Sequence, residues 1–365
     1  MRFILTLFIA MAAVILPSLS FAQDPKDDVI RIDTQLVDVP IAVTTPAGVA
    51  IRGLKKSNFV VYEDGKKQEI ADFSATADPF EVALLLDTSG STRNDLALIK
   101  RSAQYFIDSL RPGDRVAIIS FNTARDAKSA FAVPEVLSEL TSDRRTLTGA
   151  LSRAATSNGT PLYDALLQVV NKVFRDPPGE QFRGRRALVG LTDGVDSSSV
   201  EEFDATKEEL EQRGLISFFI RVDTRDDFEA QLLGDCQSAV HFSAAQIRRY
   251  YRSIGGKGNE RAVNFCGLGD FERLAVSKRL YEIADIQMDD LAKTSGGKVF
   301  PVGDLTEARA AFKGVADEIG TKYTIGYYPS NEKRDGSYRQ IKVDVVGQPK
   351  GTVVRARDGY TAPTH

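Results

Sequence analysis

The chain has 365 residues and a net charge of −3, with 42% hydrophobic and 27% charged residues, two cysteines and two histidines. That balance is that of a globular protein rather than a disordered or membrane-embedded one, and the length points to two domains. The slight acidic excess argues against a protein that grips phosphate backbones. Two histidines, one of them the last residue, leave little for a histidine-centred catalytic site or a zinc cage, so a metal here would prefer oxygen ligands.

Residues 1–22 read as a secretory signal. Met1-Arg2 is a short basic start, residues 3–16 are almost continuously apolar, Pro17 breaks the run, and Ser20-Phe21-Ala22 supplies the small-residue cleavage site. A retained membrane anchor is the alternative, but the apolar run falls short of the about 20 residues a span needs. No cysteine stands at the cleavage site, which argues against a lipid anchor. The expectation is a secreted or periplasmic protein. Export would place Cys236 and Cys266 in an oxidising compartment. A bridge between them would contribute on the order of 3 kcal/mol, and two unpaired thiols are the alternative.

Residues 28–77 read as strands. Val37, Val39, Ile41 and Val43 alternate with Asp38, Pro40 and Ala42, and Pro40 suggests an edge strand or a bulge. Asp64-Gly65 between apolar runs predicts a hairpin, with Ile70 and Phe73 on its returning strand. From residue 80 the pattern changes to short, unbroken apolar strands at 82–86, 116–121, 187–191, 215–222 and 299–302. Helical stripes lie between and after them, at 96–110, 162–174, 201–213, 280–293 and 307–319. Such alternation implies a parallel sheet covered on both faces. Residues 322–362 return to strand character, with Ile341, Val343 and Val345 alternating with polar neighbours. Each terminal block is too small to support its own core, so both are expected to join in one β-sandwich with the α/β domain, residues 80–320, inserted between them. Residues 223–276 exceed the usual connection in an α/β unit and show no long regular pattern; they read as an insertion bordering the carboxyl ends of the strands.

Three places at those carboxyl ends carry oxygen donors: Asp87-Thr88-Ser89-Gly90-Ser91 after the first buried strand, Thr160 ahead of a helix, and Asp193-Gly194 after another buried strand. Each alone is an ordinary turn or helix cap. In open α/β sheets, however, such loops meet in one crevice. Together Asp87, Ser89, Ser91, Thr160 and Asp193 resemble the metal-ion-dependent adhesion site of von Willebrand factor type A domains, and the resemblance covers roughly residues 80–320. The flanks Ala83-Leu84-Leu85-Leu86, Leu162-Tyr163-Asp164 and Gly296-Gly297-Lys298 are also similar to that family. The terminal blocks, including Asn58-Phe59 to Gly65 and Gly326-Tyr327-Tyr328 to Asp358-Gly359-Tyr360, resemble a bacterial group of secreted, VWFA-related proteins described from acidobacteria, a less specific match that rests on strand patterns. The resemblance implies a doubly wound, mostly parallel sheet and a bound Mg²⁺ or Mn²⁺ that holds an acidic group of a protein partner. Neutral hydroxyl ligands beside two carboxylates suit a hard cation that keeps a coordination position open.

Two rival functions remain. A metal-assisted hydrolase would use Asp87 or Asp193 as its base; a serine nucleophile at Ser89 or Ser91 has only His241 as a histidine base, and no phosphate-loop lysine and no Gly-x-Ser-x-Gly turn occur. A purely structural envelope protein is the other. Within the insertion, Ile247-Arg248-Arg249-Tyr250-Tyr251-Arg252 is either a contact surface for an acidic partner or a helix with a solvated basic side.

Overall fold

The structure is a computed structural model and describes residues 36–46, 50–75, 79–89, 95–125, 130–177, 185–256, 265–320 and 323–364. The expected signal segment lies outside the described residues, as does Ser91.

The chain opens with β1 (Val37–Thr44), β2 (Phe59–Glu63), β3 (Lys66–Gln68) and β4 (Ile70–Ser74). Asp64 and Gly65 both take positive φ, 48° and 79°, the mirror-image turn that matches strand twist, so β2 returns as β3. The return is shorter than the sequence suggested. Ile70 and Phe73 lie instead on β4, which has crossed to the other sheet and pairs with β11 (Tyr323–Tyr327). Three further strands follow: β12 (Tyr338–Val345), β13 (Val353–Ala356) and β14 (Gly359–Thr361). The two antiparallel sheets run β13-β1-β11-β4 and β14-β12-β2-β3, so each holds strands from both ends of the chain, alternating in the first and joined through the β12–β2 pair in the second. Their inner faces share one core of Val39, Ile41, Val43, Phe59, Val61, Ile325 and Ile341. Pro40 does not mark an edge. β1 is interior, but its ladder to β13 covers only Ile41–Thr44, so Pro40 sits where β1 has one neighbour and no donor is missed.

Between these strands lies the predicted α/β unit. Its strands are β5 (Phe80–Leu86), β6 (Arg115–Arg125), β7 (Ala130–Thr141), β8 (Arg185–Thr192), β9 (Ile216–Val222) and β10 (Lys298–Val302). Its helices are α1 (Leu96–Ser109), α2 (Arg144–Arg153), α3 (Leu162–Gln168), α4 (Phe203–Gln212), α5 (Arg225–Leu232), α6 (Ala244–Ser253), α7 (Asp270–Thr294) and α8 (Ala308–Ile319). The sheet order is β10-β9-β8-β5-β6-β7, parallel except for β7. Every residue of β5 is buried, and the strand's alternation splits them between two cores. Val82, Leu84 and Leu86 meet Ile99, Phe106, Leu147 and Phe312 of α1, α2 and α8, while Ala83 and Leu85 meet Leu162, Leu166, Leu210 and Met288 of α3, α4 and α7. The fold class expected from the sequence is therefore the one found.

Several elements were not foreseen. β7 and α2 follow β6 where no strand or helix was read. The insertion, expected to be irregular, forms α5, α6 and the first turns of α7. α7 begins ten residues before the apolar stripe at Leu280, in a stretch where Asp270, Glu272, Arg273, Lys278 and Arg279 mask the periodicity. Cys236 and Cys266 are bridged, with Cα atoms 5.2 Å apart.

Candidate metal site at the carboxyl ends of the central strands

The chain runs outward from β5 to β7, then returns to β8 on the other side of β5. That reversal is a topological switch point, where the loops leaving adjacent strands diverge and open a crevice. Asp87 follows β5 and Asp193 follows β8, so the two carboxylates stand at the two sides of that crevice. The ladder carries on past the strands, Asp87 N donating to Leu191 O at 2.9 Å.

Both carboxylates are buried. Asp87 Oδ1 accepts from Ser89 N at 3.0 Å and Oδ2 from the Thr192 hydroxyl at 2.7 Å. Asp193 Oδ1 accepts from Val195 N at 2.9 Å and Oδ2 from the Thr224 hydroxyl at 2.6 Å. Gly194 makes the turn between them. Its φ of +77° is one that glycine adopts without strain, and a Cβ there would also fall 2.4 Å from Met288 Cε of α7, which would have to shift. Burial pushes the carboxyl pKa of Asp87 above its ordinary value, partly offset by the bonds from Ser89 and Thr192. Burial, and then the charge of Asp87, push Asp193 up to about 7. Two buried carboxylates that disfavour each other's charge form a place where a cation is favoured.

The third loop is stitched to the other two. Ser157 N donates to Thr88 O at 2.8 Å, and the Thr88 hydroxyl donates to Phe121 O at 2.9 Å. Thr160 exchanges two bonds with Ser197: its N donates to Ser197 Oγ at 2.8 Å and its O accepts from Ser197 N at 3.0 Å. The structure thus brings Asp87, Ser89, Thr160 and Asp193 onto three interlaced loops, with Ser91 outside the described residues. Thr160 was read as a possible helix cap. The N-terminus of α3 is capped instead by Asp196, whose Oδ2 accepts from Leu162 N at 2.9 Å. The Thr160 hydroxyl is not what satisfies the helix.

Among the described residues no group of three or more His, Cys, Asp or Glu side chains is placed to hold a metal ion. Any cation here must take two carboxylates and complete its shell with hydroxyls and water. That donor set is all hard oxygen and suits Mg²⁺ or Mn²⁺ better than a nitrogen- or sulfur-seeking metal.

Sequence reasoning missed the residues that orient this set. Thr192 was visible as the neighbour of Asp193. Thr224 and Tyr281 were not, because their link to Asp193 spans distant segments. Asp196 was also missed. Its Oδ1 accepts from Arg249 Nη2 at 3.1 Å and its carbonyl from Arg249 Nη1 at 2.8 Å, while the guanidinium lies 4.9 Å from the Tyr163 ring centroid. Of the basic run of α6, Arg249 is thus turned inward, whereas Arg248 is exposed and Arg252 pairs with Glu202 at 3.1 Å on the surface. His241, the one histidine considered as a base, is engaged in the insertion: its Nε2 lies 2.7 Å from Cys236 O and its ring stacks on Phe265.

Comparison with known proteins bears on this arrangement. A family model described as von Willebrand factor type A domain matches residues 81–248. No curated protein matches the chain. Similar solved structures include an aerotolerance-related membrane protein from Bacteroides fragilis NCTC 9343 carrying multiple mutations to serines. It is 18% identical, covering 66% of this chain and 98% of that one, with a TM-score of 0.39. BatB from Bacteroides thetaiotaomicron is 19% identical over 66% and 97%, also at 0.39. A von Willebrand factor type A protein from Catenulispora acidiphila is 12% identical over 91% and 74%, at 0.42. These likenesses carry no inference about what the chain binds.

Proposed function

Because the chain carries a von Willebrand factor type A domain over residues 81–248, a family often involved in protein–protein interaction or adhesion, we propose that it is an exported, metal-dependent protein-binding module. In this reading Asp87, Ser89, Ser91, Thr160 and Asp193 hold Mg²⁺ or Mn²⁺, and the site captures an Asp or Glu carboxylate of a partner in adhesion or assembly. The observation that carries it is the buried, mutually repelling pair Asp87 and Asp193 at the switch point of the sheet. When bound, the ion supplies an electrophilic position for an anionic oxygen. The chain's own residues do the rest. Val195 N and the Thr192 and Thr224 hydroxyls fix the two carboxylates, and the Ser197 bonds fix the Thr160 backbone. The module is read as a binder rather than an enzyme, a reading supported by the engagement of His241 with Cys236 O within the insertion. Export is supported by the Cys236–Cys266 bridge. No helix among the described residues is long and apolar enough to cross a membrane.

Calorimetric titration with Mg²⁺ tests the site. Wild type should bind, and Asp87→Ala should weaken binding by more than about a hundredfold, since a ligand is removed outright rather than reoriented. Unchanged affinity in Asp87→Ala removes this site from consideration. Partner capture from envelope extract, compared in Mg²⁺ and in chelator, tests the function; equal recovery in both overturns metal-dependent capture.

A further inference from the structure

Thr224 is the residue immediately before α5, the position where a threonine ordinarily turns its hydroxyl onto its own helix's free N–H groups. Thr224 does not do this: it makes no side-chain cap bond. Its hydroxyl instead reaches from the end of β9 to the end of the neighbouring β8 and donates to Asp193 Oδ2 at 2.6 Å. A hydroxyl has one proton to give. With that proton on Asp193, the 2.9 Å contact between Thr224 Oγ1 and Tyr281 Oη makes the tyrosine the donor and the threonine the acceptor. The result is a directed relay, from Tyr281 on α7 through Thr224 to Asp193, and both relay residues are buried.

Tyr281 is itself held in place. Its ring lies 6.3 Å from Phe228 of α5, Phe228 lies 5.9 Å from Phe242, and Phe242 lies 5.9 Å from Phe265. Phe265 adjoins Cys266 of the disulfide, and the Arg273 guanidinium covers it at 4.4 Å. Arg273, also buried, donates to the carbonyls of Leu232, Gly234 and Leu268, tying both arms of the bridged segment to α7. A tyrosine packed in this way cannot swing its hydroxyl off Thr224 without disturbing the ring column.

We infer that Thr224 and Tyr281 are positioning residues for the metal site: the disulfide-closed insertion fixes the carboxylate of Asp193 through a hydroxyl relay, so that this insertion, and not the central sheet alone, sets how well the site binds its cation. The inference rests on the metal-binding reading given above. With Val195 N on Oδ1 and the Thr224 hydroxyl on Oδ2, each carboxylate oxygen of Asp193 is fixed by one bond and keeps a further lone pair for a cation, and partners of this kind typically change metal affinity by about 10–100-fold when removed.

The test is Mg²⁺ titration of the full chain by calorimetry, with thermal unfolding of each protein recorded in chelator. Thr224→Val keeps shape and removes the hydroxyl, Thr224→Ser restores a hydroxyl, and Tyr281→Phe removes only the outer member of the relay. The expected result is Mg²⁺ affinity lowered about tenfold or more in Thr224→Val, near wild type in Thr224→Ser, and lowered by a smaller factor in Tyr281→Phe. A merely structural role would lower the unfolding temperature in chelator for Thr224→Val while leaving affinity alone. Wild-type affinity in both Thr224→Val and Tyr281→Phe, with Asp87→Ala unable to bind, overturns the relay and leaves the metal site standing. Should Thr224→Val fail to fold, Tyr281→Phe against wild type decides the same question. Absence of Mg²⁺ binding in wild type overturns both the site and the relay.

Discussion

Asp193 titrates in an accessible range, because burial and the charge of Asp87 raise its pKa to about 7 while the Thr224 hydroxyl pulls it down. Its ordinary value is 3.8, so between these limits the folded, metal-free protein holds a proton that the unfolded chain has released. Stability from this group is therefore fully present below the unfolded value and lost as pH rises through about 7. Cation binding runs the other way, since the ion must displace that proton. Mg²⁺ affinity should fall as pH drops from 8 toward 5.5, and binding near pH 6.5 should release protons. Calorimetry in buffers of different ionisation enthalpy checks this, and heats independent of buffer would show that Asp193 is already ionised. Asp87 and Asp193 were legible in the sequence because each ends an unbroken apolar strand, and a strand end fixes where a side chain emerges. Thr224 and Tyr281 were not. The first looks like a helix cap and the second like a core aromatic, and only the fold links them in series to one carboxylate, although they stand 57 positions apart.

At the scale of elements, α6 is anchored by one buried ion pair. The Arg249 side chain is 16% exposed and that of Asp196 is 0% exposed. Asp196 also caps α3 through Leu162 N, so the pair ties the insertion to the helix that follows Thr160. Removing one partner of such a pair leaves an uncompensated buried charge and costs about 3–5 kcal/mol. Arg249→Met should therefore destabilise by about that much in urea unfolding, and Arg249→Met with Asp196→Asn should cost less than the arginine change alone. Additive losses would mean that the two side chains do not act on one another. Sequence periodicity could not give this element its role. Arg249 sits in a basic run that reads equally well as a solvated face, and its direction is set by Asp196 and by the Tyr163 ring beneath it. β7 was illegible for a related reason. It is an edge strand with Pro134 inside it and register irregularities against β6, so it lacks the continuous apolar run of the strands within the sheet.

At the scale of the molecule, the two ends of the chain make one structure around the α/β unit. This was legible because neither strand block had enough apolar surface on its own; which strand pairs with which was not, since alternation sets the face and not the neighbour. The outcome places Glu63 of β2 in the sandwich core, accepting from Tyr327 at 2.7 Å and Tyr360 at 2.9 Å, with Arg339 at 3.4 Å. All three partners come from the C-terminal strands. Removing residues 323–364 would strip β1 of both ladder partners, β2 of β12 and β4 of β11, and leave the Glu63 carboxylate without its three donors. The six-stranded sheet would keep its own strand pairs and both of its helix-covered cores. Limited proteolysis of that truncation should cut within residues 36–75 at once and leave 79–320 largely resistant, because cleavage follows local opening and only the N-terminal strands lose their pairing. Exposed strand edges should also make the truncated protein self-associate on size exclusion. If residues 36–75 stayed as resistant as in the full chain, the N-terminal strands would hold together without the C-terminal ones, and the sandwich would be two units rather than one. Digestion of 79–320 at the same rate would show instead that the sandwich supports the α/β core.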